Sequence, residues 1–269
     1  ALAAGSRGSA GSYAADRAAV APGGDFTGDT TGAPEPGVHR GKQQLADPEL
    51  ARDDKTKQRE GHEYQRMDGK LFKYGVRAQD VIQGWLSNCY FGAALGAVAQ
   101  RHPNKIQEGI VDRGGDVFAV RFYKFDRAGN ASEEWVEVDA DFPFYKDKKT
   151  WAYMQSSQKG ELWPSLVEKA YAVFKAGGKG DYDTIGQGGY ESDVLEAMTG
   201  EWAETIDLAS GKDDVLWKKL ERASDNGQAM TAGTYSPEEG KEDARYGDKT
   251  KIWENHAYTV MGVKEKGRG

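Results

Sequence analysis

The chain has 269 residues, a formal net charge of −7 and a single cysteine, Cys89. The acidic balance argues against a general nucleic-acid binder, one thiol excludes an internal disulfide framework or a multi-cysteine zinc site, and His39, His62, His102 and His256 have no metal-ligand spacing. The longest apolar run, residues 91–99, is nine residues, against the roughly 20 that a membrane-spanning helix needs.

Residues 1–45 are rich in Ala, Gly, Ser and Pro, with nine of the 35 glycines and only Tyr13 and Phe26 as aromatics. Such a segment buries too little apolar surface to offset its ordering entropy, so disorder is expected; the low hydrophobic share of the whole chain, 38%, fits this. Residues 46–70 carry mixed charge and read as an exposed linker or helix. The chain begins without a methionine and stops just after a strand-like run, so it reads as a fragment.

The folded part is expected from Leu71. Residues 80–88 are loop-like. Residues 89–100 then read as a helix, because Phe91, Leu95 and Val98 share one face. Ser87 or Asn88 is placed to cap it, and Pro103 closes it. Gly92, Ala93, Gly96 and Ala97 weaken its propensity but let neighbours approach, so a central buried helix is expected. Residues 117–124 and 134–138, joined by a turn at 126–130, predict an antiparallel hairpin. Pro164 suits the first turn of a helix running to about Lys175, with Leu166, Val167, Ala170, Tyr171 and Phe174 as its inner stripe. Ser192 is placed to cap a short helix ending at Gly200. Residues 213–223 predict another helix, and 228–234 and 257–263 predict strands. Helices giving way to strands make an α+β pattern, not a βαβ repeat. Gly177-Gly-Lys-Gly180 is not a phosphate loop: it follows a helix and lacks the Gly-Lys-Ser/Thr ending.

Three residues invite a chemical reading, each beside a plainer one. Cys89 sits at a helix N-terminus, where unpaired N–H groups and the dipole stabilise a thiolate; equally, a lone cysteine is often a small buried hydrophobe. His256 precedes a buried strand and suits a Cys–His pair, or is a satisfied core histidine. Gln83, six residues before Cys89, is placed to donate to the oxygen of a tetrahedral intermediate, or is a solvated loop residue.

Gln83-Gly-Trp-Leu-Ser-Asn-Cys89-Tyr resembles the active-site segment of the calpain-type cysteine endopeptidases, Gln-Gly-x-Leu-x-Asp/Asn-Cys-Trp. The similarity continues through Glu134-Trp-Val-Glu-Val-Asp139 with Phe142-Pro143, Glu161-Leu-Trp-Pro-Ser-Leu-Val-Glu-Lys-Ala-Tyr-Ala172, Gly188-Gly189 with Glu191, Met198-Thr-Gly200, and Asn255-His-Ala-Tyr-Thr-Val-Met-Gly262. These segments span residues 71–263 in the family's order. The resemblance implies a papain-like α+β fold in two lobes, residues 71–186 with the Cys helix and residues 187–269 with the His strand. It implies protein or peptide substrates, Cys89 as nucleophile, His256 as general acid/base, Gln83 as oxyanion donor, and Gly189 as a backbone contact for an extended substrate. It also implies a calcium site built from the carboxylates of Asp80 and Glu161 and the carbonyls of Lys73 and Gly75. Family and lone thiol together imply a cytoplasmic protein, with export as the alternative.

The sequence departs from the family pattern in three places. Tyr90 stands where the family has Trp, and Asn255 where it has Gly. The family's Asn-Pro-Trp motif does not occur within the 13 residues after His256, so the second lobe is expected to be incomplete and the fragment weak on its own. Two other readings stay open: a peptide-binding module that has lost its chemistry, and a papain-like acyl transferase.

Overall fold

The computed structural model describes residues 33–52, 61–208, 213–235 and 246–265, and the backbone of residues 17–21. Much of the segment expected to be disordered (1–16 and 22–32) and the charged run 53–60 lie outside the described residues. In chain order the elements are β1 (Arg17–Ala21), β2 (Glu63–Arg66), a 3-10 turn (Ala78–Asp80), β3 (Val81–Ile82), α1 (Cys89–Arg101), α2 (Pro103–Glu108), β4 (Ile110–Gly114), β5 (Val117–Phe125), β6 (Ala131–Asp139), β7 (Asp141–Tyr145), β8 (Thr150–Trp151), β9 (Gln155–Ser156), α3 (Trp163–Ala176), α4 (Asp183–Gly186), α5 (Glu191–Thr199), β10 (Glu204–Asp207), α6 (Asp213–Asp225), β11 (Ala229–Gly233) and β12 (Ala257–Thr259). The architecture is α+β.

The expected hairpin is the antiparallel pair β5–β6, and β4 extends it to three strands. Residues 117–123 of β5 are buried without alternation, because helices α3 and α5 pack on the sheet. Phe91 of α1 stacks on Tyr171 of α3 at 4.8 Å, and Phe122 of β5 stacks on Phe174 of α3 at 4.8 Å. These aromatics tie both helices to the sheet. The second sheet has the order β10-β1-β11-β12.

Helix α1 lies between the two sheets, touching β11 and β12 on one side and α5 on another. Its small residues are what permit this. A side chain at Gly96 would come within 2.6 Å of the Thr259 hydroxyl, and that hydroxyl donates to the Ala93 carbonyl at 2.7 Å. The helix that bears Cys89 is thus clamped to the strand that follows His256.

Several expectations are corrected. Residues 33–45 are ordered: the N–H groups of Gly37, His39 and Gln43 donate to Asp112, Arg113 and Gly115, and Leu45 N–H donates to Asp139 Oδ2 at 2.7 Å. Residues 17–21 form a central strand, paired with β10 and β11. Order here comes from backbone ladders supplied by the rest of the fold, not from the segment's own apolar content. Residues 63–66, expected as linker or helix, pair with β7. Val194, Leu195, Ala197 and Met198 of α5 join a large core that also takes in Ala229 and Ala257, so one core runs across the expected lobe boundary. Strand β12 is shorter than expected. After Val260, which still donates to Met230, the chain is drawn aside by Arg101 Nη2 on the Met261 carbonyl and Ser224 Oγ on the Val263 N–H. Neither Ser87 nor Asn88 caps α1 through its side chain, and Ser192 lies inside α5.

Candidate active site

Cys89 is the first residue of α1 and is partly buried. The turn before it is fixed by Asn88, whose carbonyl accepts the N–H groups of Phe91 and Gly92 at 2.9 and 3.1 Å. The Asn88 side chain is fully buried, and its Nδ2–H donates to Glu168 Oε1 at 2.7 Å. The other Glu168 oxygen accepts Met154 N–H at 2.9 Å. Burial pushes the Glu168 carboxyl up to about 7, against the pull of these two donors. The residue before Cys89 is therefore anchored to α3 by a buried polar pair. The sequence signal was Asn-Cys, but its partner 80 residues away could not be read from spacing.

The Cys89 sulfur faces the backbone N–H of Ala257, the residue after His256. The structure thus brings together the two segments that the sequence singled out. Burial pushes the thiol up from its ordinary value, and the N–H of Ala257 pulls it back; the Glu191 carboxyl pushes it up further, and the N–H groups of Tyr90 and Cys89 oppose that. Burial is the largest of these, so the helix N-terminus does not lower this thiol as expected. Burial likewise pulls the His256 imidazole down. Burial thus favours the uncharged form of both groups.

His256 is not on a strand but in the turn ahead of β12. Thr234, at the end of β11, holds it there. Its hydroxyl donates to the Trp253 carbonyl at 2.6 Å and accepts the His256 N–H at 3.0 Å, while its own N–H donates to the His256 carbonyl at 2.9 Å. The imidazole lies edge-on against the Tyr258 ring, centroids 5.0 Å apart. Asn255 has φ +48°, a left-handed conformation that glycine adopts freely and asparagine tolerates better than most residues. This turn geometry accommodates asparagine where the family has glycine.

Gln83 lies in the loop before α1, and its Nε2–H donates to the Leu86 carbonyl at 2.8 Å. One amide hydrogen is committed to holding the loop, and the second is left for another acceptor. Gly189 has a reason for being glycine within the chain itself. A side chain there would lie 2.5 Å from the Tyr90 ring, so the constraint comes from packing within the chain. Glu191, quoted above only as part of a motif, is buried, has no hydrogen-bond partner for Oε1, and is pushed up to about 7 by burial.

The carboxylates expected from the resemblance to hold calcium are both engaged by partners from the chain itself. Glu161 Oε1 accepts Lys73 N–H at 2.7 Å and Oε2 accepts Ser156 Oγ–H at 2.6 Å. Asp80 is engaged by Arg77 through Nη2 to Oδ1 at 2.9 Å, and through Nε and the peptide N–H to Oδ2 at 3.3 and 3.0 Å. Gly75 takes φ +82° in the loop between them. A hard divalent cation needs six to eight oxygen ligands, whereas this corner already holds a guanidinium. The donor set does not fit calcium. Among the described residues no group of three or more His, Cys, Asp or Glu is placed to hold a metal, and no helix is long and apolar enough to cross a membrane.

Comparison with known proteins agrees with this geometry. Residues 43–268 match the model of the calpain family cysteine proteases. The chain is 32% identical over 211 residues to the maize calpain-type cysteine protease DEK1, covering 72% of this chain and 9% of that protein. It is 29% identical over 213 residues to mouse calpain-5, covering 74% of this chain and 32% of that protein. The chain therefore spans a third or less of these relatives' length. A thiol at the tip of a central helix, met across the α1–β12 contact by the turn that carries His256, and a family match over most of the sequence lead to one conclusion: the chain belongs to the calpain family of cysteine proteases.

Proposed function

We propose that this chain is the catalytic core of a cysteine endopeptidase that cleaves protein or peptide substrates, with Cys89 as nucleophile and His256 as general acid/base. The observation that carries the reading is the meeting of the Cys89 sulfur with the Ala257 N–H, beside His256. His256 takes the thiol proton as the sulfur attacks the scissile carbonyl carbon. The C–S bond forms, and the oxygen gains negative charge beside the Cys89 N–H and the free Gln83 amide hydrogen. Collapse breaks the C–N bond, and imidazolium returns the proton to the leaving amine. Water activated by the neutral imidazole then hydrolyses the thioester and restores the thiol. Calcium takes no step in this sequence. Gly189 retains a supporting part, through its backbone, as a rail for an extended substrate. The single free thiol supports a reducing compartment such as the cytoplasm.

The test is labelling with an active-site-directed epoxide alongside digestion of casein. The wild type is expected to take one label at Cys89 and to produce fragments, Cys89→Ser to do neither, and His256→Ala to react at least about 100-fold more slowly. Cleavage that persists in Cys89→Ser overturns the reading. Amine incorporation without cleavage reassigns the chain as an acyl transferase, and no label with no cleavage as a binding module.

A further inference from the structure

We propose that Arg77 is the resident cation of the Asp80–Glu161 corner and that it excludes calcium from a site the sequence otherwise spells out. Both carboxylates are buried, with Asp80 at 0% and Glu161 at 1% exposure, so neither is tolerated without a positive or N–H partner. Arg77 supplies this to Asp80 as a fork, and Ser157 Oγ lies 3.4 Å from Asp80 Oδ1. Lys73 adds a second positive charge nearby: its ammonium is fixed at 2.5 Å on the carbonyl of Lys159, two residues before Glu161. The two chain segments that an ion would draw together are already joined. Strand β3 pairs with β9, Lys70 N–H donates to the Gly160 carbonyl, and Leu162 N–H donates to the Lys70 carbonyl. A calcium ion entering here would have to displace a guanidinium from a buried carboxylate and then sit beside it. The corner is thus covered by a charge from the chain itself, Arg77 lying at the surface over the buried Asp80, and its order does not wait for calcium.

The experiment is a calorimetric calcium titration with thermal melts of the whole chain. The wild type is expected to show no saturable calcium binding up to about 1 mM, well above the range of calcium sensors, and a melting temperature that calcium does not move. Arg77→Gln removes the charge. It is expected to melt lower and to be raised by roughly 5 °C at saturating calcium, a response lost when Glu161→Gln is added. Arg77→Lys keeps the charge and is expected to remain silent to calcium. The proposal is overturned if the wild type binds one calcium below about 0.1 mM and loses it in Asp80→Asn, or if folded Arg77→Gln gains no calcium response. Should Arg77→Gln fail to fold, the wild-type titration and the Arg77→Lys melt still decide. These readouts are heat and melting, so they stand apart from whether the chain cuts peptides.

Discussion

Cys89 stands on a helix sunk into a core that runs from Ala51 to Ala257 and includes Trp163, Tyr171, Tyr182 and Phe122. His256 stands in a turn whose sheet is backed by a separate small cluster, Ala223 and Met230 with Ile206, Leu220 and Val260 against them. The first side is held by buried charge: Lys169, 1% exposed, pairs with Asp139 at 2.6 Å and Asp47 at 2.5 Å, and Glu168 holds Asn88. The second is held by the Thr234 hydroxyl, the short β11–β12 ladder, Arg101 on the Met261 carbonyl and the close approach of Thr259 to α1. Cys89 is thus placed beside a network of buried charge that is costly to break, and His256 by hydrogen bonds of roughly 1 kcal/mol each. Substitutions on the cysteine side are therefore expected to cost more stability than those on the histidine side.

The largest test of this contrast is Lys169→Met. It leaves Asp139 buried without its ammonium and is expected to remove about 3–5 kcal/mol of stability by urea denaturation. A loss under 1 kcal/mol would show that the first lobe does not depend on its buried charge. Next is pH. The Glu168 carboxyl is held at about 7 in the fold against 4.5 when free, so the folded state binds the extra proton between those values. Its contribution is fully present below pH 4.5 and is lost as pH rises through about 7, a change on the order of 3 kcal/mol. Melts across that window should flatten in Glu168→Gln, with Glu191, also held at about 7, supplying the residual slope.

At the seam between the two regions, Gly189→Ala drives a methyl into the Tyr90 ring and is expected to cost about 1–3 kcal/mol. Shortening the ring with Tyr90→Leu should restore part of the loss. On the histidine side, Thr234→Val removes the hydroxyl that meets Trp253 and His256 and is expected to cost about 1–2 kcal/mol. It should also slow epoxide labelling of Cys89, whereas Thr234→Ser should spare both. The smallest effect is Asn255→Gly, which relieves a left-handed backbone and is expected to add up to about 1 kcal/mol. A destabilised Asn255→Gly would mean that the asparagine side chain, not its backbone, shapes the turn.

Much of the first lobe was legible because its signals are local. The stripe from Leu166 to Phe174 specified α3, the small-residue face of α1 announced a close neighbour, and Gly200 ended α5 in the left-handed conformation that it adopts at φ +74°. The chemistry-bearing residues were legible as motifs, since Cys89 and His256 each carry their own neighbours in sequence. What stayed hidden depends on partners far apart along the chain. Residues 33–45 looked too poor in apolar groups to order, yet they find their hydrogen bonds on the β4–β5 turn and on Asp139. Nor did spacing show that the Tyr90 ring fills the space where a side chain at Gly189 would be.

The sequence by itself determined the local periodicities and the family motifs that single out Cys89, His256, Asp80 and Glu161. Only the tertiary structure decided the environment of the two groups and the partner of Asp80. Both follow from burial, which no spacing encodes. Removing water pushes the thiol up and the imidazole down, and it leaves the buried Asp80 to pair with the cation that the fold brings within reach, the guanidinium of Arg77.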